Sequence, residues 1–413
     1  MVAPFPSGPE KLEAVRSALP ALAAGIYLNT GSVGPLPAET AAAMAEIATW
    51  ERDVGRGHAD AFDDLLGRMG EARAGVAAVL GTDVDAVALT HSTTDAMNAG
   101  ILAAAGGRRG GRVVTTPHEH LGGLGPLLAL RDRGLADLET VDAGDDGDDD
   151  RTLAAFDAAI TADTQLVSIS HVAWTTGAVL PVAGIAELAH ARGAPLVVDG
   201  AQAAGAIPFR MEELGADFYA VPAQKWLLGP EGMGALVVRP SLIERTTPGL
   251  GGFFSFDMAG GGVAATWWGD ARRFEASGYH RPSVVGMARS IGWLSMFVGL
   301  DYVFERGPAM ARAAAGRLAA IDGVTVLTPI DRMATLVTFR IAGWPAQAAL
   351  DELGARVFAI ARTIVSLDAL RISVGFFTSE DEIERLAGAV ELLATHSPET
   401  LPPRRSLAML GQP

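Results

Sequence analysis

A guanidinium stays protonated and cannot form an imine, whereas a lysine amine can be tuned by its surroundings to react. Of the 32 basic residues in this chain, 30 are arginine and only Lys11 and Lys225 are lysine. Lys11 falls in an amphipathic first helix and reads as a solvated residue. Lys225 stands in VPAQKWLLGPEGMG, just past the apolar run 218–221 and 26 residues after Asp199. Trp226 and two leucines beside it would strip water from its amine, lower its pKa and free it for imine formation. Asp199 directly follows apolar residues in LVVDGAQ. Such an acid is either an N-cap or a buried carboxylate facing a cation. Held against a pyridine nitrogen, it would keep that nitrogen protonated, which pyridoxal phosphate chemistry requires. Gln202, three residues on, can reach a neighbouring ring oxygen. A third cluster, Thr90-His91-Ser92-Thr93-Thr94, lies between an apolar run and a helical pattern. Hydroxyls and free N–H groups at a helix start suit a phosphate, although Ser and Thr also simply cap helices.

Residues so scattered need a scaffold that gathers strand ends. Short apolar runs at 87–89, 112–115, 164–171, 195–198, 218–221 and 234–238 alternate with helical patterns at 94–104, 121–133 and 185–192. This predicts a mostly parallel α/β sheet with helices on both faces and ligands at the strands' carboxyl ends. Ahead of it lie a helix over 10–22, an extended piece over 26–37 and a broken helical pattern over 37–80. After a Gly-rich loop at 249–262, a helix over 283–298 leads into a smaller α+β region. There, strands are expected at 323–327, 334–340 and 370–374, with helices at 345–353 and 380–393. The expected organisation is an N-terminal segment (1–36) packing on the small domain, a large domain (37–282) and a small domain (283–413). The acidic run GDDGDDD at 144–150 reads as a solvated loop, since it lacks the spaced ligands and closing Glu of a calcium site.

Composition removes whole classes of function. The 413 residues carry 48 acidic and 32 basic side chains, a net −16, which disfavours nucleic acid as a partner. With 49% hydrophobic and 19% charged residues the chain can bury a large core. It has no cysteine, hence no disulfide, thiolate metal site, iron–sulfur cluster or cysteine nucleophile. The first residues do not read as a signal peptide, and the longest uncharged stretch, 164–186, is broken by polar residues. The expectation is a cytoplasmic protein without a membrane partner.

Eight segments in order carry a resemblance: YLNTGSVGPLP (27–37), HSTTDAMN (91–98), HEHLGG (118–123), SHVAWTTGAVLPV (170–182), VVDGAQAAG (197–205), ADFYAVPAQKWLLGPEGMG (216–234), RFEAS (273–277) and LRISVGFFTSEDEIERL (370–386). They resemble the class V aminotransferase family of pyridoxal-phosphate (PLP) enzymes, in the branch of cysteine desulfurases and isopenicillin N epimerase-like proteins. The resemblance implies PLP fold type I, with a mostly parallel seven-stranded sheet, a smaller α+β C-terminal domain, a homodimer and an α-amino-acid substrate. It implies Lys225 as the Schiff-base lysine, Asp199 as partner of the pyridine nitrogen, Gln202 as donor to the ring oxygen and His120 stacked on the ring. Ser92, Thr93 and Thr94 would cradle the phosphate with Gln224, and Ser277 stands where family members often reach the partner subunit's phosphate. Arg371 would clamp the substrate carboxylate, with Asn29 nearby; its structural alternative is a salt bridge to an acid such as Glu380.

Departures from the family pattern narrow the activity. Pro222 and Gln224 stand where desulfurases have Ser and His, and Trp174 where they have Asn. The loop expected over 358–370 lacks their catalytic cysteine, so persulfide transfer is excluded. What remains is Cα deprotonation of the external aldimine with Lys225 as base, leading to epimerisation or C–S β-elimination. Transamination is the alternative, and a silent PLP-binding protein another. Transaminases usually offer a second anion clamp, and only Arg371 is identifiable from sequence. Side-chain specificity is expected from Tyr279, His280 and Arg281 and from the loop 253–256.

Overall fold

The computed structural model describes Gly8 and residues 10–107, 110–143, 146–257 and 262–404. Residues 144–145 of the acidic run and 258–261 of the Gly-rich loop lie outside them. The apolar runs form a seven-stranded sheet. Its strands are β1 (Val87–Thr90), β2 (Arg112–Thr115), β3 (Asp137–Thr140) and β4 (Thr164–Ser170), then β5 (Leu196–Asp199), β6 (Phe218–Pro222) and β7 (Gly234–Val238). Their spatial order is β1-β7-β6-β5-β4-β2-β3. Pairings from β3 through β6 are parallel, while β7 runs antiparallel to both β6 and β1. Strands β4 to β7 are buried along their whole length, which is why they read as continuous apolar runs rather than alternating ones. Edge strand β3, DLET, is mostly exposed and polar, and so has no apolar signature.

Helices cover both faces. They include α1 (Ala38–Val54), α2 (Ala59–Leu80), α3 (Thr93–Ala105) and α4 (Leu121–Asp132). Part of the acidic run is not loop: Asp148 accepts the N–H of Arg151 and caps a helix over Asp149–Ala159. Helix α5 (Arg281–Gly292) presents Val284, Met287 and Ile291 to the same core as Met69 and Val76 of α2. The chain then passes through a π-helical turn, Trp293–Val298, and bends by 87° into α6 (Leu300–Ala319), a helix the sequence pattern did not reveal. No single helix among the described residues is long and apolar enough to cross a membrane.

A second, four-stranded sheet is antiparallel throughout. It comprises β8 (Val324–Val326), β9 (Leu336–Ile341), β10 (Arg362–Ile364) and β11 (Ala369–Ser373), ordered β8-β9-β11-β10. Val337, Phe339, Leu370 and Ile372 pack against Ala311 and Leu318 of α6 and against Leu386, Val390 and Leu393 of α7 (Glu380–Ala394). The N-terminal segment is tied to this sheet's surroundings. Ile26–Tyr27 pairs in parallel with Ala359–Ile360, Asn29 bridges Ser373, and Arg16 grips Glu382 of α7 at 2.7 Å.

Candidate active site at the strand ends

The carboxyl ends of β1, β2, β4, β5 and β6 open onto one cavity of about 230 Å³, closed on its far side by β10 and β11. Each strand end delivers a different polar group. After β1, Ser92 caps α3, its hydroxyl accepting the N–H of Asp95 at 3.1 Å. That hydroxyl is therefore committed to the helix, and the first-turn N–H groups of Thr93 and Thr94 remain as the anion-facing donors. After β2, Glu119 and His120 lead into α4. His120 Nδ1 accepts the N–H of Gly122 at 3.1 Å, and the ring stands edge-on to Trp174 with centroids 5.3 Å apart. Burial, then the nearby Lys225 charge, hold the His120 pKa below the usual imidazole value, so the ring is neutral. A Cβ on Gly122 would stand 2.5 Å from Thr94 Oγ1, so only glycine lets α4 start this close to the phosphate-facing turn.

Asp199 ends β5, paired with Ser170 on β4. Its Oδ1 accepts the N–H of Ala201 at 2.9 Å, and Oδ2 takes no hydrogen bond from the described residues. Behind Ser170, Glu119 accepts from Thr116 Oγ1 (2.7 Å) and from Ser170 N–H (3.1 Å) and Oγ (2.7 Å). Burial pushes the Glu119 carboxyl up to about 7 in spite of those bonds. His171, the next residue after Ser170, shares a 2.9 Å hydrogen bond with Tyr219, and burial takes its pKa down to about 4.

Lys225 follows β6 in a tight turn, with Gln224 C=O accepting from Gly34 N–H at 2.7 Å. A Cβ on Gly34 would meet the Lys225 carbonyl at 2.3 Å, so the N-terminal loop lies directly on the lysine's backbone. Burial brings the Lys225 amine down to about 8; Asp199 opposes that fall, and Arg371 and Arg362 add to it. Trp226, buried beside the lysine, is also an anchor: its Nε1–H donates to Gln202 Oε1 at 3.0 Å. Gln202 Nε2 donates to the Gly31 carbonyl at 2.8 Å, so one amide hydrogen is left for a ligand.

Arg371 on β11 has no solvent exposure. It spends Nη1 on the Trp174 carbonyl at 2.7 Å and leaves Nε and Nη2 buried without partners. It does not bond Glu380, which pairs with Arg306 at 3.1 Å, so the salt-bridge alternative fails. Ser92, Thr93, Thr94, His120, Asp199, Gln202, Gln224, Lys225 and Arg371 all line the cavity. Asn29 stands behind its wall, its Oδ1 accepting from Ser32 Oγ at 2.7 Å, and Ser32 lines the cavity in its place. Ser277 is exposed and lines no part of it. Tyr279 donates to the Leu89 carbonyl, His280 bonds Ser283 and Arg281 reaches the Ala61 carbonyl, so all three are committed to the fold. What the sequence reading missed is Arg362, which faces the cavity from β10. The segment RTIVSLDALR contained the signal: a short hairpin pairs Arg362 with Arg371.

This donor set fits PLP. The free Asp199 oxygen, the first-turn N–H groups of Thr93 and Thr94, the spare Gln202 amide hydrogen and the Lys225 amine are gathered in one cleft. A planar phosphorylated pyridine aldehyde can use each of those groups.

Residues 26–386 match the family model for aminotransferase class-V. Isopenicillin N epimerase of Streptomyces clavuligerus is 31% identical over 403 residues, covering 89% of this chain and 94% of its own. A probable cysteine desulfurase of Methanothermobacter thermautotrophicus is 29% identical over 336 residues, 80% of this chain and 82% of its own. The solved cysteine desulfurase of Thermococcus onnurineus NA1 superposes with a TM-score of 0.81 at 25% identity, over 95% of this chain and all of that one. A cystine C–S lyase in complex with cysteine persulfide gives 0.84 over 92% of this chain, and at 23% identity speaks for the fold alone. A family match along most of the chain, with an epimerase aligned over nearly its full length, makes this chain a member of the class V aminotransferase family of PLP enzymes.

Proposed function

We propose that this enzyme removes the Cα proton of an α-amino acid and completes either an epimerisation or a C–S β-elimination. The observation that carries the reading is Lys225: a buried amine with a pKa brought down to about 8, sharing one cavity with Asp199 and a guanidinium that keeps two nitrogens unpartnered. PLP, when bound, supplies an electron sink for negative charge at Cα. Thr93 and Thr94 N–H groups and Gln224 would hold its phosphate, Asp199 its ring nitrogen, Gln202 its ring oxygen and Lys225 its carbonyl carbon. His120 offers a neutral aromatic neighbour. Arg371 would hold the substrate carboxylate through Nε and Nη2, a bidentate fork that fixes which Cα bond faces Lys225. The lysine amine, half neutral near pH 8, can then take that proton. Without a cysteine the protein has no thiol of its own to receive sulfur, so a sulfur leaving group would depart as a free small species. Ser277, exposed on its own protomer, would complete the phosphate site of a second copy in a homodimer.

A second reading, transamination, is favoured by one observation. Arg362 supplies the second cation whose absence from the sequence reading had counted against it. The test comes in two stages. Borohydride reduction and peptide mapping should fix the cofactor on Lys225, and label on Lys11, or no label, would overturn the assignment. A panel of amino acids scored for pyruvate, keto acid and D-enantiomer then separates elimination, transamination and epimerisation.

A further inference from the structure

Arg362 and Arg371 stand directly opposite each other across the β10–β11 ladder, so both side chains leave the same face of the sheet. Both line the active cavity. Two guanidiniums facing one cavity repel, Arg362 adding to the burial that lowers the Arg371 pKa, and an anion bound between them would offset that cost. Neither finds an acidic partner among the described residues. Arg371 bonds only the Trp174 carbonyl, and Nε and Nη2 stay unpartnered. Arg362 makes two long contacts, 3.3 Å to Ser32 Oγ and 3.4 Å to the Thr363 carbonyl. The cavity lining holds Lys225 and both arginines against a single carboxylate, Asp199.

Trp174 explains how the pair is held. Its ring lies under both cations, 5.4 Å from Arg362 and 6.0 Å from Arg371, and aromatic faces attract cations. The indole Nε1–H is itself buried with no acceptor. A PLP phosphate would be met at the other wall, by the Thr93–Thr94 turn and Gln224, which leaves Arg362 for the substrate. One α-carboxylate satisfies one fork. We infer that the enzyme is specific for amino acids with a second acidic group in the side chain, carboxylate or sulfur oxyacid, which Arg362 binds while Arg371 holds the α-carboxylate.

This rests on the reading of an α-amino-acid substrate, but it can be tested without turnover. Succinate and glutarate carry two acids and no amine, so they occupy the site unreacted; propionate carries one. Titrated into the holoenzyme by calorimetry, the better dicarboxylate should bind ~10- to 100-fold more tightly than propionate, the range expected of one added charged hydrogen bond. Arg362→Gln should remove most of that advantage while propionate affinity stays within about twofold, and Arg362→Lys should fall between. Cofactor absorbance reports whether each variant is folded and loaded. In kinetics, acidic amino acids should exceed alanine in kcat/KM by a similar factor, and Arg362→Gln should shrink the ratio. Equal binding of succinate, glutarate and propionate, or equal weakening of all three by Arg362→Gln, would overturn the inference. Failure of Lys225 labelling with the dicarboxylate preference intact would instead strike the catalytic reading alone.

Discussion

Replacing Lys225 with methionine should make the cofactor-free protein more stable, and only below a definable pH. Burial holds the folded amine at about 8 against an ordinary 10.5. At 1.36 kcal/mol per pKa unit, keeping this charge inside costs roughly 3 kcal/mol, an upper bound because the cavity admits water to part of the side chain. Below pH 8 the amine is charged in both folded and unfolded chains, and the folded one bears the whole cost. Between about 8 and 10.5 the unfolded chain keeps its proton while the folded chain releases it, so wild-type stability climbs with pH. Above 10.5 both states are neutral and the cost is gone. Lys225→Met, which has no charge to bury, should therefore unfold about 2–3 kcal/mol later than wild type at pH 7. The difference should shrink toward the small packing effect of the exchange by pH 10.5. Urea unfolding of hydroxylamine-stripped protein, both chains at matched pH, measures it. A gain that does not change with pH, or a loss at pH 7, would refute the view that Lys225 is held desolvated for chemistry.

Two further outcomes follow from the same geometry. Asp199→Asn should keep the cofactor, read from visible absorbance, yet lower turnover ~10- to 100-fold, since a charged hydrogen bond of ~1.5–3 kcal/mol would be lost where positive charge must be held; unchanged turnover would mean that Asp199 serves only to accept the Ala201 N–H. Glu119, with its folded pKa raised to about 7, is protonated in the folded chain and ionised in the unfolded one between about 4.5 and 7, so its contribution is present at low pH and lost as pH rises through 7. Glu119→Gln should consequently gain on wild type by up to ~3 kcal/mol between pH 4.5 and 8 in thermal or urea unfolding, and a pH-independent difference would show that the carboxyl is ionised in place.

The scarcity of lysine, the acid after LVVD and the hydroxyls after the first strand were legible because each depends on neighbours in sequence. Apolar runs ended where the strands end, so the residues just past them were bound to meet at one sheet edge. Strand β3 and the helix behind Asp148 escaped because a polar edge strand and an acidic helix start have no apolar period to detect. The commitments of individual side chains were not legible at all. Tyr279, His280 and Arg281 looked like free polar residues until the Leu89 carbonyl, Ser283 and the Ala61 carbonyl were brought to them. Arg371 could have belonged to Glu380, but α6 carries Arg306 to that acid and leaves the guanidinium to Trp174, 197 residues away in the chain. Arg362 became a second cation of the site only because a four-residue turn folds its strand back onto β11. Sequence determines which groups exist and which local backbone they ride on. Packing between distant segments decides which of them stay unpartnered, and a buried group without a partner is one that can bind.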